Sequence, residues 1–223
     1  MRFWLLLVAA TCAFGQEISP DQQLNQMLMQ SDQTKVMGNV SAAIRGYEEA
    51  LQKVKSTPAI QGREEEVLQR LFGSYITAQR YPDAIRISRR ILALHQKDCA
   101  PDSEWIERCA DAQYGLGLAL MHSGDFAGAV RELNVSVANF GKVKMEGDEH
   151  FRMIKLKQRG DAESMLAAAL FRAGEREKAV AMFRKAIVTL KEVANDQKLD
   201  PGTRGSAQKS LTDAEGSLKL LTR

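Results

Sequence analysis

The chain has 223 residues, with 31 Lys and Arg against 28 Asp and Glu, a formal charge of +3 that becomes +2 if Arg2 is removed with an N-terminal leader. That near-balance leaves no electrostatic footprint for DNA or RNA. Five prolines and 6% aromatics favour helix over strand, and the length suits one domain or a short repeat array better than two enzyme domains.

At the N-terminus, Arg2 precedes an apolar run from Phe3 to Ala10, carried on weakly through Phe14 and too short to span a bilayer as a helix. Ala13-Phe14-Gly15 then puts small residues three and one positions before Gln16, the pattern a signal peptidase accepts. Residues 1–15 are expected to be a secretory signal peptide cleaved after Gly15, which implies a secreted or periplasmic protein. Lipidation at Cys12 is the alternative, and Thr11 before it is a poor fit to such sites. No later stretch reads as a transmembrane segment.

The mature chain, 16–223, reads as helix hairpins over about 22–56, 58–97, 102–145 and 148–194. In the first, Gly38-Asn39 marks a turn before Ala43, Tyr47 and Ala50. In the second, Pro82 suits the first turn of a helix after a turn near Arg80-Tyr81. The third is the clearest: Gly124-Asp125 joins two apolar-periodic segments, because glycine takes positive φ at a helix end and aspartate caps the next helix. The fourth repeats that arrangement at Gly174-Glu175, although Gly160-Asp161 could break its long first helix in two. Starts at Thr57-Pro58, Asp102 and Asp148 imply lengthened first helices. Polar residues from Asn195 to Gly205 read as a loop, followed by a helix over about 204–221 whose stripe of Ala207, Leu211, Ala214, Leu218 and Leu221 would cap the array.

A small residue in the first helix (Ser31, Gly117, Ala167) precedes an alanine in the second (Ala43, Ala129, Ala179) by twelve positions, so the two backbones can approach closely. Leu116, Leu120 and Leu133, then Leu166, Leu170 and Phe183, fill in around that contact at helical spacing. In the second hairpin Phe72 stands at the small position, and Gly73 takes its role only if the turn is one residue shorter. Recurrence at intervals of 41, 45 and 50 between turns is the signature of a repeat array.

These residues resemble the tetratricopeptide repeat family from about Leu24 to Val193, most closely around Gly124 and Gly174 and most loosely around Tyr81. The long intervals are similar to those of kinesin light chain repeats. The resemblance implies an all-α solenoid of about four hairpins with a C-terminal capping helix. It also implies a concave groove lined by the first helices, here Gln69, Gly73 and Thr77, then Tyr114, Leu118, Met121 and His122, then Ser164, Ala168, Phe171 and Arg172. Family members that clamp a terminal carboxylate use lysines and asparagines where Gln69, Tyr114, Leu118 and Ala168 stand, so that role is not implied.

Export permits a disulfide between Cys99 and Cys109, closing a short ring worth about 2–3 kcal/mol; two free thiols at a helix junction are the other reading. His95, His122 and His150 sit in no ligand or nucleophile motif, and the cysteine spacing without histidines does not fit a metal site. No catalytic residue, metal or cofactor is therefore expected. The expected function is an exported module that binds or scaffolds an unidentified protein or peptide. An envelope hydrolase using groove carboxylates and a self-associating homo-oligomer are the alternatives. Basic residues from Lys142 to Arg159, interrupted by Glu146, Asp148 and Glu149, read as dipole matching on a solvated helix or as a surface for an acidic partner.

Overall fold

The computed structural model describes residues 18–100, 103, 105–144 and 148–223. The leader expected at 1–15, with Cys12, and the helix start expected at Asp102 lie outside them. The described residues form nine α-helices, one short 3₁₀ helix and no strand: α1 (Pro20–Val36), α2 (Val40–Ser56), η1 (Pro58–Arg63), α3 (Glu64–Thr77), α4 (Tyr81–Leu94), α5 (Ile106–Ser123), α6 (Phe126–Phe140), α7 (Glu149–Arg172), α8 (Arg176–Asn195) and α9 (Pro201–Leu221). Each packs on its chain neighbours, so the fold is an α-solenoid of four hairpins, α1–α2 through α7–α8, closed by α9. Among the described residues no helix is long and apolar enough to cross a membrane.

Local chemistry sets the helix ends. Ser19 and Gln22 form a reciprocal capping box at α1. Asn39, Asp125, Asp148 and Asp200 each accept an N-cap hydrogen bond from a backbone N–H two or three residues into the helix. Gly38, Gly124 and Gly174 end the first helices of their hairpins at φ between 85° and 88°, where a Cβ would crowd the backbone. In the second hairpin Gln79 holds that place at φ 56°. The turn therefore has the same length as the others and Phe72 keeps the position of Ser31, Gly117 and Ala167; Gly73 does not substitute for it.

Two expectations are corrected. Pro58–Arg63 winds as a 3₁₀ helix that turns Ile60 into the core, so α3 starts only at Glu64 and is not lengthened as an α-helix. Residues 201–205 are not loop: Asp200 caps α9 and Pro201 takes its first turn, where a fixed φ and a missing N–H suit a helix start. Gly117 and Ala129 are both buried, and Leu133, four residues beyond Ala129, packs against Gly117 as expected of a residue around that contact. A Cβ on Gly117 would lie 2.5 Å from Leu133 Cγ. Likewise Ser31 meets Gly46, where an added Cβ would lie 2.2 Å from its hydroxyl.

The open question at Gly160 also resolves. Helix α7 runs unbroken through it for 24 residues, and a Cβ there would sit 2.8 Å from Leu190; the glycine lets α8 come close. One core cluster spans α1 to α4 and takes in Ala112 and Ala119 of α5, another spans α5 to α9, and Ile85 and Leu92 of α4 pack on both. Fully buried side chains such as Tyr47, Leu71, Leu133 and Leu166 each contribute about 1.5–3 kcal/mol by leaving water. The buried Glu163 of α7 is held by Arg159, Lys185 and Thr189, which ties α7 to α8 and keeps its charge compensated.

Candidate functional site

First helices α3, α5 and α7, together with α9, line two cavities that share one lining residue, Tyr114. The first, of about 210 Å³, lies between α3, α4 and α5 and is lined by Glu65, Gln69, Phe72, Ser88, Asp111 and Tyr114 among others. The second, of about 320 Å³, is lined by Tyr114, Asp161, Ser164, Ala168 and, from α9, Ser210, Asp213 and Ser217. Helix α7 touches both α5 and α9 directly.

Electrostatically this face is rich in carboxyl and hydroxyl groups. Asp111 retains exposed area but stands in the concavity, where the surrounding walls thin its hydration and push its carboxyl up to about 6, with Lys155 opposing the shift. The Tyr114 phenol is raised to about 12, first by burial and then by the charges of Asp161 and Asp111. Asp161 is paired with Lys157 at 2.7 Å. Below the first cavity, the buried His95 bridges Glu65 at 3.0 Å and Asp98 at 2.7 Å. Burial opposes its protonation, but the two carboxylates outweigh burial and hold its pKa above the ordinary value. Next to Asp98, Cys99 is disulfide-bonded to Cys109 of α5, fixing the α4–α5 connection beside the cavity.

Among the residues expected to line a groove, Gln69, Tyr114, Ser164 and Ala168 come together on the two cavities. Gly73 faces the Lys35 ammonium and the exposed Thr77 donates to the Gly73 carbonyl. Leu118 is half-buried, and Met121 packs on the C-terminal core. His122 stacks on Tyr81 of α4 at 5.6 Å, and Arg172 lies over Phe126 of α6 at 4.8 Å; both join one hairpin to the one before. Phe171 is exposed at 48%. Sequence reasoning missed Asp111 and Asp161, which each stand thirteen residues before a turn glycine, Gly124 and Gly174. That shared register was the available signal. It also missed Asp213, because the polar side of α9 read as a solvated face.

Residues 71–142, from α3 into the turn after α6, match the tetratricopeptide repeat family model. That stretch carries the tetratricopeptide repeat pattern. Solved structures extend the likeness to nearly the whole array. A putative kinesin light chain with nearly identical tetratricopeptide-like repeats from Podosopora anserina matches with TM-score 0.62 at 18% identity, over 91% of each chain. BtubC (BKLC) from P. vanneervenii matches with TM-score 0.62 at 14% identity, over 90% of this chain and 75% of that one. MamA protein matches with TM-score 0.52 at 19% identity, over 87% and 91%. At these identities the likeness is one of fold. No curated protein matches the sequence. Tetratricopeptide repeats are protein-interaction scaffolds, and that is the coarse role this fold assigns.

Proposed function

We propose that this chain is an exported binding module that holds a segment of a partner protein in the concave groove of its tetratricopeptide repeats. The observation that carries the reading is the pair of cavities that share Tyr114 as a lining residue, which we read together as a trough across α3, α5, α7 and α9. Its mix of apolar walls and hydroxyl and carboxyl groups suits an extended or helical segment better than a buried small metabolite. The Cys99–Cys109 bond and the apolar leader with its Ala13-Phe14-Gly15 site support an oxidising compartment outside the cytoplasm. Catalysis is the weaker reading. Glu65 and Asp111 line one cavity, but Glu65 Oε1 is already held by Gln69 and His95, so the two carboxyls are not equally free to act on one substrate.

The test is steric and independent of charge. Gln69→Trp together with Ser164→Trp should block the trough and abolish retention of the partner by immobilised full-length chain, whereas Val188→Trp, at a position 72% exposed on α8, should leave it intact. Equal retention by all three proteins contradicts the groove reading. Export is tested by the intact mass of the protein recovered from the cell envelope: a chain starting at Gln16 is expected, a lipidated Cys12 would contradict that cleavage site, and an intact Met1 would contradict export.

Self-association through the first hairpin is a second reading with its own observation. Helix α1 and its turn expose Met29, Val36 and Met37 at 55%, 87% and 83% beside a cavity of about 400 Å³, an apolar patch of the kind that marks an interaction surface. Sedimentation equilibrium of the purified chain separates the two: a monomer disposes of self-association, and a dimer dissolved by Val36→Asp establishes it.

A further inference from the structure

We propose that the cavity between α3, α4 and α5 receives a basic side chain, lysine or arginine, of the partner segment that lies in the groove. The inference rests on the groove reading and adds the chemistry of the occupant. Two independent observations point to a ligand. Ser88 is 2% exposed and lines the cavity, yet its hydroxyl has no hydrogen-bond partner, an arrangement that proteins avoid unless something arrives to fill it. At the same cavity Asp111 presents a carboxyl that forms no ion pair among the described residues.

The cations near the cavity have other contacts, although the charges of Lys155 and His95 are still felt at Asp111. Arg108 lies over the Trp105 ring at 4.3 Å, His95 is held between Glu65 and Asp98, and the Lys155 ammonium sits over Phe151 at 5.3 Å. Glu107 adds a further negative charge near Asp111. Phe72, Ile91 and Ala112 supply apolar wall to the same cavity. An aliphatic stem ending in an ammonium or guanidinium matches that combination of surfaces, because the stem packs while the charged head finds acceptors. An anionic side chain would face Asp111 and Glu65, and an apolar one would leave the Ser88 hydroxyl unmet. The neighbouring cavity that shares Tyr114 is lined by Asp213, another carboxylate without an ion pair among the described residues. A second acidic cavity next to the first favours a residue of a longer segment over a free amine.

The experiment is a fluorescence-anisotropy titration of the full chain with three dye-labelled peptides of one serine and leucine background, carrying two lysines, two norleucines or two glutamates. The lysine peptide should bind best. Asp111→Asn should weaken it about tenfold, the size of one charge-assisted hydrogen bond, and Ser88→Ala should weaken it less, with circular dichroism melts of both variants unchanged. Affinity should also fall from pH 7 to pH 5 as Asp111 protonates, since its carboxyl is pushed up to about 6. Equal binding of lysine and norleucine peptides, no binding of any of the three, or indifference to Asp111→Asn overturns the basic-residue inference. The tryptophan block tests the groove reading separately. Binding of n-butylammonium as tight as that of the lysine peptide would overturn the segment and leave a free-amine site.

Discussion

Gly117→Ala probes how closely α5 and α6 pack. The new Cβ would lie 2.5 Å from Leu133 Cγ and 2.9 Å from its Cδ2, against about 3.5–4.0 Å for a comfortable carbon contact. The blocking atom is the branch point of Leu133 and not a loose tip, and Leu133 is 0% exposed, so neither helix can yield without repacking. Helix propensity favours alanine by about 0.8–1 kcal/mol, while overpacking of this kind costs about 1–3 kcal/mol. With the clash at the upper end, the net is a loss of about 1–2 kcal/mol, or about 2–8 °C in melting temperature for a chain of this size. Leu133→Ala alone should cost about 2–5 kcal/mol by leaving a cavity. In the double variant the new methyl partly fills that cavity, so the total falls below the sum of the single losses by about 1 kcal/mol or more. Thermal melts followed by circular dichroism read all four proteins. A Gly117→Ala chain as stable as wild type, or strict additivity in the double variant, would refute the packing described for this hairpin.

Removing the Cys99–Cys109 bond with Cys99→Ser and Cys109→Ser should lower stability by about 2–3 kcal/mol through the entropy of the freed ring, read as a lower urea midpoint; a midpoint unmoved by reductant would contradict it. His95 has a folded-state pKa raised above 6.5 by Asp98 and Glu65 despite its burial. Its contribution is therefore complete below pH 6.5 and is lost as pH rises through the shifted value. Melting temperature should decline over that rise in wild type and less so in His95→Gln. Gln79→Gly should stabilise the second hairpin by about 0.5–1 kcal/mol, since φ 56° is costly for a side chain with a Cβ; a loss of stability would count against the left-handed turn.

How much of this was legible in the sequence follows from what each residue does locally. Turn glycines and capping aspartates act over three or four residues, and small residues recurring twelve before an alanine are visible in a single chain, so hairpins, order and fold class could be read directly. The partner of each small residue could not, because it depends on how one helix crosses another: Gly117 admits Leu133 and Gly46 admits Ser31. Pro58 to Arg63 was ambiguous because proline starts α- and 3₁₀-helices alike, and Pro201-Gly202 looked like a loop only because composition was weighed ahead of the cap at Asp200. For the groove, Gln69, Tyr114 and Ser164, read from their register, line the two cavities. Residues near the ends of α5 and α7, such as His122 and Arg172, were drawn to aromatic rings of the preceding hairpin, a pairing that no periodicity encodes. Asp213 was hidden because a polar helix face reads the same whether it meets bulk water or walls a trough.

The central claim is that the partner lies in the trough at Tyr114, and site-specific photo-crosslinking tests it most directly. A benzophenone side chain placed at Ser164 in the trough should form adducts with the partner, while the same probe at Val188 on α8 should form none. Adducts from Val188 with none from Ser164 would move the binding surface off the concave face and contradict the account.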